Sequence, residues 1–173
     1  VELDAELPYP MKQRSQLLRE GDKSGLLRLG VLERGGAAAN LVRARWSRRS
    51  LHLELEVVHA QTAGRPDLTL HLEDRDTESV SRIRLKPRGD AANVSDHPVW
   101  SGMTTVQYAA AVPRALLRRP PGTILDAHLH AQTGLGEHRL RIGVLETADL
   151  PGASRSVKPY ATARGNFSIR VRP

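Results

Sequence analysis

Alternation of apolar and polar residues with a period of two is the feature of this sequence that most restricts its fold. Leu51–Val57 and Ile124–Ala131 both show it, and weaker copies occur along the rest of the chain. Successive side chains of a β-strand point to opposite faces of its sheet, so each such strand buries one face and exposes the other. The sequence therefore predicts an all-β domain of antiparallel strands whose functional groups lie on outward positions and in loops.

The strand pattern recurs often enough to predict an antiparallel β-sandwich, of the immunoglobulin-like or jelly-roll-like kind, with about nine strands. The predicted strands are Leu26–Leu32, Ala38–Trp46, Leu51–His59, Leu68–Glu73, Ser79–Leu85, Thr104–Val112, Ile124–Gln132, Arg139–Leu145 and Phe167–Val171. Three longer segments, residues 86–103, 113–123 and 146–166, are predicted to be loops, where binding residues often lie.

The first part of the chain has a different pattern. Met11–Glu20 predicts a short helix with apolar residues on one face. We interpret residues 1–25 as a lead-in or linker and residues 26–173 as the β-sandwich domain. Because the chain starts at Val1 and stops at Pro173, right after a predicted strand, we expect it to be a domain cut from a longer polypeptide.

Composition excludes several classes of function. The chain has no cysteine, which rules out thiol-based redox catalysis, Cys-ligated zinc and a disulfide scaffold. No apolar run is long enough for a membrane span. The net charge is +7, and only four of the 26 Lys and Arg residues are lysines, a preference that with abundant alanine favours a GC-rich, actinobacterial source. A basic surface favours anionic partners, although ordinary solubilising charge explains it equally well.

His128-Leu-His130 is the most specific candidate for a metal site. Alternate residues of one strand point the same way, so two imidazoles placed like this can bind one metal ion. With Gly122 and Glu137 the pattern is similar to the metal motif of cupin barrels, although that motif has its Glu closer to the histidines. The alternative is that His128 and His130 are solvated outer-face residues. Two further histidines alternate outward in the same way, His52 and His71.

No other catalytic pattern is present in the sequence. It contains no Gly-x-Ser-x-Gly elbow, no Gly-x-Gly-x-x-Gly turn and no phosphate-binding Gly-x-x-x-x-Gly-Lys-Ser/Thr loop. Acidic pairs such as Glu54/Glu56 lie on outward positions, where a carboxyl group lacks the burial that a general acid needs. We therefore assign no catalytic residue and no cofactor.

Arginine pairs are a more persistent signal. Four pairs of arginines are spaced two residues apart along the predicted strands, and each pair projects from one face: Arg43 and Arg45, Arg82 and Arg84, Arg139 and Arg141, and Arg170 and Arg172. On neighbouring strands such pairs would form a stripe that binds phosphates or carboxylates. The alternative is that acidic residues on adjacent strands pair with them.

Aromatic residues are scarce, which limits the ligands that stacking could hold. Nucleic-acid platforms need several exposed rings, so a nucleic-acid partner is not expected. Trp100 and Tyr160 lie in predicted long loops and are the candidates for stacking on a ligand. If they bind an uncharged glycan, the chain would be a neutral carbohydrate-binding module, which we keep as an alternative.

The end of the chain resembles a known group of domains. Residues 159–168 read Pro-Tyr-x-Thr-x-x-Gly-Asn-x-Ser, a turn that leads into the last strand. This is similar to the ending of accessory β-sandwich domains attached to bacterial cell-wall glycosyltransferases and polyol-phosphate transferases, the teichoic acid enzymes especially. The catalytic motifs of those enzymes are not found in this sequence.

The resemblance implies a non-catalytic accessory domain that mediates oligomerisation, binds an anionic cell-wall glycopolymer, or does both. Its partners would be that polymer, the catalytic domain of the same polypeptide and further copies of the chain. It also implies a cytoplasmic location at the inner face of the membrane, as part of a larger enzyme. The small metal-dependent enzyme with a site at His128 and His130 is the alternative from another class.

Overall fold

The computed structural model describes residues 37–60, 64–93, 103–134 and 136–173. These residues form ten strands and one short 3₁₀ helix, Arg114–Leu117. The strands are β1 Ala37–Trp46, β2 Ser50–Ala60, β3 Asp67–Asp74, β4 Val80–Arg84, β5 Lys86–Asn93, β6 Met103–Pro113, β7 Ile124–Thr133, β8 Gly136–Asp149, β9 Val157–Ala161 and β10 Phe167–Val171. The predicted all-β class is confirmed. The predicted helix Met11–Glu20, the strand Leu26–Leu32 and the linker at residues 1–25 lie outside the described residues.

The strands form one mixed sheet that curls until it is nearly barrel-shaped. Hydrogen-bonded neighbours follow the order β4-β3-β7-β8-β1-β2-β6-β5, and β10 pairs with both β7 and β9. β4, at one end of this order, continues through Leu85 into β5 at the other end. Leu85 is buried and its N–H donates to the Leu68 carbonyl at 3.0 Å, which holds this corner against β3.

β8 connects the two halves of the barrel because its two ends pair with different strands. Residues 136–141 pair antiparallel with β7, whereas residues 142–149 pair parallel with β1. β10 pairs with the first residues of β7, which β8 does not reach, and there Ile169 lies opposite Leu125. The expected antiparallel sandwich is therefore not confirmed, since the sheet is mixed and β8 belongs to both halves.

Two strands fall in segments that the sequence predicted to be loops. β5 contains Pro87 and Gly89, and β9 contains Pro159. Proline cannot donate a hydrogen bond to a neighbouring strand, so within sheets it occurs mainly on edge strands. In the described part of the chain β5 pairs with β6 alone and β9 with β10 alone, which explains why both strands tolerate proline.

The inward face of the alternation forms the core. On β3, Leu68, Leu70 and Leu72 are at most 2% exposed, and the residues between them are half-buried. Burying one leucine side chain contributes about 1.5–3 kcal/mol, so a shift by one residue would lose several such contributions at once. On β1 the register shifts between Leu41 and Arg43, and this bulge keeps Ala44 inward. The core thereby fixes which residues face outward.

Tyr108 provides a test of the core. Its buried hydroxyl donates to the Pro66 carbonyl at 2.8 Å, and burial raises the pKa of Tyr108 to about 12. Tyr108→Phe leaves that carbonyl without its donor, so we expect the free energy of unfolding to fall by about 1–2 kcal/mol in urea denaturation. Tyr160→Phe, at a half-buried position, is the control and should change it by less than about 0.5 kcal/mol. Equal losses in both variants would contradict this account.

Candidate functional site

The outer face of β4, β3, β7 and β8 brings two of the predicted arginine pairs together with three histidines. One cross-strand row is Arg82, His71, His128 and Arg141, and the next is Arg84, Thr69, His130 and Arg139. We call the seven basic residues of these rows the histidine–arginine face. The histidines lie on the two central strands, and an arginine pair lies on the strand at either side.

The alternation of β7 produces this arrangement. Leu125, Ala127, Leu129 and Ala131 are buried in the core, which places Asp126, His128 and His130 on the other face, as predicted. β3 alternates in the same way and lies beside β7, with His71 directly opposite His128. The outward histidines of the two strands are therefore neighbours.

The three histidine rings form a compact cluster. The centroid of the His71 ring lies 5.0 Å from that of His128 and 5.7 Å from that of His130, with which it is stacked. His128 is only 8% exposed although it lies on the outer face. Its Nδ1 has no hydrogen-bond partner among the described residues.

Burial and neighbouring positive charges keep part of this cluster uncharged at neutral pH. Burial lowers the pKa of His128 to about 4, and the charges of Arg139, His71 and His130 act in the same direction. Burial also lowers the pKa of His71, an effect that Arg82, His130 and Arg139 increase and Glu73 opposes. At neutral pH His128 therefore adds no positive charge to that of the neighbouring arginines.

One ion pair crosses β7 in the register of His128. Arg139 Nη2 on β8 lies 3.9 Å from Glu73 Oε2 on β3, and β7 lies between these strands. In the register of the sheet, the line from Arg139 to Glu73 passes over His128. The pair is about two-thirds exposed at Arg139, so it contributes little to stability. It places the Arg139 guanidinium near His128, where its positive charge lowers the pKa of the imidazole.

Three arginines of the histidine–arginine face have no acidic partner among the described residues: Arg82, Arg84 and Arg141. Asp126, a carboxylate on the same side of β7, is engaged elsewhere, because it accepts two hydrogen bonds from Arg75, at 3.0 and 2.9 Å, and one from Ser168 Oγ at 3.0 Å. The bidentate hydrogen bonds from Arg75 lower the pKa of Asp126. The described part of the face therefore has more arginine charge than its carboxylates balance.

The arginine pair of β1, Arg43 and Arg45, lies on a different face. Arg43 and Arg45 project from β1 beside Glu54 and His52 of β2, and Arg43 forms an ion pair with Glu54 at 3.5 Å. A wide, shallow cleft of about 690 Å³ runs along β6 on this side, with Arg45, Lys86, Arg88 and Ala109 among its lining residues. Arg84 lines the same cleft and so belongs to both basic regions.

Of the two aromatic candidates, Tyr160 lies among the described residues and Trp100 does not. Tyr160 lies in β9, where the sequence predicted a loop, and the Arg170 guanidinium sits 5.2 Å from the centroid of its ring. One side of the Tyr160 ring is therefore already covered, which leaves less of it for stacking on a ligand. Trp100 lies outside the described residues.

The described residues do not support the hypothesis of a metal site at His128 and His130. Among the described residues, no group of three or more His, Asp or Glu side chains is placed to hold a metal ion. His130 Nε2 lies 3.6 Å from Glu137 Oε2, a contact between a half-buried imidazole and an exposed carboxylate. No helix in the described part of the chain has the length and apolar character that crossing a membrane requires.

Comparison with known proteins gives a likeness of fold. No family model matches the chain, and no curated protein matches it. Among solved structures, the chain is similar to the crystal structure of residues 217–571 of TarS from S. aureus, with a TM-score of 0.52. The two are 16% identical, and the match covers 76% of this chain but only 37% of the TarS chain. At this identity the likeness shows the fold alone.

The sequence analysis missed one part of the basic surface and left another, a cluster of outward histidines on neighbouring strands, as an open possibility. Lys86 and Arg88 fell in a predicted loop, because Pro87 and Gly89 hide the strand to which they belong. The position of His71 between the arginine pairs depends on β3 and β7 being neighbours, which no local pattern shows. The outward alternation of His71 was the one signal that pointed to it.

The histidine cluster predicts a loss of stability in acid. The pKa of His128 is about 4 in the folded protein and near 6.5 when unfolded, so between these values the unfolded state binds more protons. Stability therefore falls as the pH is lowered from about 6.5 to 4, by roughly 2–3 kcal/mol from this group. Thermal unfolding of His128→Asn should show a smaller decrease over this range, whereas Gln132→Ala, an exposed position on the same strand, should keep the wild-type decrease. Identical pH dependence in His128→Asn and wild type would contradict the assignment.

Proposed function

We propose that this chain is a non-catalytic accessory domain that binds an anionic glycopolymer of the cell envelope through the histidine–arginine face. The observation that supports this most directly is the pair of cross-strand rows in which arginines flank the histidines. Arg82, Arg84 and Arg141 have no described acidic partner, and guanidinium groups form forked hydrogen bonds with phosphates and carboxylates.

The spacing of the arginine pairs suits a polymer better than a single small anion. β4 and β8 are separated by β3 and β7, so the two pairs lie three strand spacings apart, or about 14 Å. A chain that carries a charge on successive repeat units can contact both pairs while it crosses the sheet. Arg84 also lines the cleft along β6, so the basic path continues around the corner of the barrel.

Attachment to a larger enzyme is part of the proposal. The Pro-Tyr-x-Thr-x-x-Gly-Asn-x-Ser ending is similar to that of accessory domains of teichoic acid enzymes. The fold likeness to part of the TarS structure, of which the chain covers 37%, is consistent with such an attachment. The partner would then be a glycosyltransferase catalytic domain of the same polypeptide, in the cytoplasm at the inner face of the membrane.

Binding to the polymer can be tested with a two-arginine variant. Arg82→Ala/Arg141→Ala removes one unpaired arginine from each side of the histidine–arginine face, and we expect affinity for purified teichoic acid to fall about ten-fold at low salt. The slope of log affinity against log salt should become shallower by roughly 1 to 2. Calorimetric titration measures both quantities.

Arg48→Ala/Arg49→Ala is the matched control, because it removes the same charge from an exposed bend between β1 and β2. This variant should bind as wild type does. Binding of uncharged dextran as tightly as teichoic acid, or equal losses in the two double variants, would argue against the histidine–arginine face as the site.

We further propose that the domain self-associates, since the accessory domains it resembles are associated with oligomerisation. Sedimentation equilibrium over a wide range of protein concentrations should then give a mass that rises above that of one 173-residue chain. A monomer mass at every concentration would remove oligomerisation from the proposed function without affecting polymer binding.

A further inference from the structure

A small, partly enclosed cavity of about 120 Å³ lies at the end of the barrel where β1, β6 and β10 end and β9 begins. Its apolar wall consists of Trp46, Leu117, Val157 and Val171. The cavity is separate from the histidine–arginine face, because none of the residues of that face lines it. Drug-sized ligands need roughly 300–1,000 Å³, so this cavity suits one small molecule or one end of a larger molecule.

The aromatic side of the cavity is held in place by a network of hydrogen bonds. The Trp46 indole N–H donates to the Gly152 carbonyl at 3.0 Å, and the Arg114 guanidinium lies 4.5 Å from the centroid of the indole ring. Arg114 donates to the Ser47 carbonyl at 3.1 and 2.8 Å and to Ser154 Oγ at 2.7 Å. Groups fixed in this way lose little further freedom when a ligand binds.

The cavity gathers positive charge. No Asp or Glu is among the residues that line it. The four lining arginines are Arg114, Arg118, Arg119 and Arg155. One of them is balanced, because Arg119 Nη1 lies 3.8 Å from Asp74 Oδ2. Arg114 donates only to neutral oxygens, and Arg118 and Arg155 are exposed without a described acidic partner. Such a concentration of guanidinium groups attracts an anion.

Arg155 is held beside the cavity by a turn of unusual composition. Ser154 and Val157 exchange two backbone hydrogen bonds, at 2.9 and 3.0 Å, around a two-residue turn. Both turn residues have positive φ, 49° at Arg155 and 66° at Ser156. Turns of this kind favour Asn and Gly, so an arginine here is strained, and strained backbone is often found where a side chain serves a ligand.

We propose that this cavity binds a small phosphate monoester, with the phosphate between Arg118 and Arg155 and the rest of the molecule against the apolar wall. A phosphate monoester carries a charge between −1.5 and −2 at neutral pH, about twice that of a carboxylate. Three arginines without an acidic partner therefore match a phosphate better than a carboxylate. This inference does not depend on the polymer-binding function proposed above.

Phenyl phosphate is a suitable probe because it combines the phosphate with an apolar ring. In Trp100→Phe protein the remaining indole N–H signal belongs to Trp46, since the chain has two tryptophans. We expect this NMR signal to shift saturably with phenyl phosphate. Inorganic phosphate and benzoate should cause the same shift only at higher concentrations. No saturable shift with phenyl phosphate, or tighter binding of benzoate or phenol, would overturn the proposal.

Two variants locate the binding site. Arg155→Gly suits the positive φ at this position, so its Tm should equal or exceed that of wild type while its Kd for phenyl phosphate rises about ten-fold or more. Arg118→Ala should raise Kd to a similar degree. Arg164→Ala removes an exposed arginine from the turn between β9 and β10 and should bind as wild type does.

The remaining outcomes distinguish this site from the histidine–arginine face. Arg82→Ala/Arg141→Ala should bind phenyl phosphate with wild-type affinity. Loss of phenyl phosphate binding in that variant, or wild-type affinity in both Arg155→Gly and Arg118→Ala, would show that the phosphate binds elsewhere and would overturn the proposal. A failure of teichoic acid binding in the experiments above leaves these measurements unaffected.

Discussion

The double pairing of β8 is the constraint on which the histidine–arginine face and the closure of the sheet both depend. Its first half pairs with β7 and places Arg139 and Arg141 beside the histidines, whereas its second half pairs with β1 and closes the sheet toward a barrel. Because side chains alternate along a strand, a slip of one residue in the β7–β8 register would turn both arginines inward. The buried residues Leu129 and Leu140, which lie opposite each other, oppose such a slip because it would expose them.

The charges of the histidine–arginine face depend on the way in which it is covered. The Arg139–Glu73 pair crosses the sheet in the register of His128, and both burial and the nearby arginine charge keep the pKa of this imidazole low. At neutral pH an uncharged His128 therefore lies between the two arginine pairs and adds no positive charge to theirs. An anion bound at Arg139 would bring negative charge close to His128, which favours protonation of the imidazole. Polyanion binding and proton uptake are thus expected to support each other at this face.

The sequence predicted what is local and missed what is long-range. The alternation in β2, β3 and β7 gave the all-β class, the inward residues and the shared face of each arginine pair. It did not reveal β5 and β9, because Pro87, Gly89 and Pro159 are typical of loops and are tolerated only because both strands lie at an edge. It also could not reveal the parallel pairing of β1 with β8, or the contact of Trp46 with Gly152, which are 106 residues apart. Such contacts depend on the closure of the whole sheet, and no short pattern encodes them.

The histidine–arginine face and the cavity beside Trp46 differ in how firmly their arginines are held. This difference bears on the kind of anion that each one suits. Arg82, Arg84 and Arg141 are exposed and make no described ion pair, so their long side chains can follow a polymer whose charges vary in position. Arg114, in contrast, is fixed by hydrogen bonds to Ser47 and Ser154 and by the Trp46 ring, and it forms a rigid wall beside the exposed Arg118 and Arg155. A fixed arrangement favours one ligand of matching shape because little side-chain entropy is lost on binding. Under the two proposals, one small barrel would combine a tolerant surface for a repeating anion with a partly rigid cavity for a single phosphate.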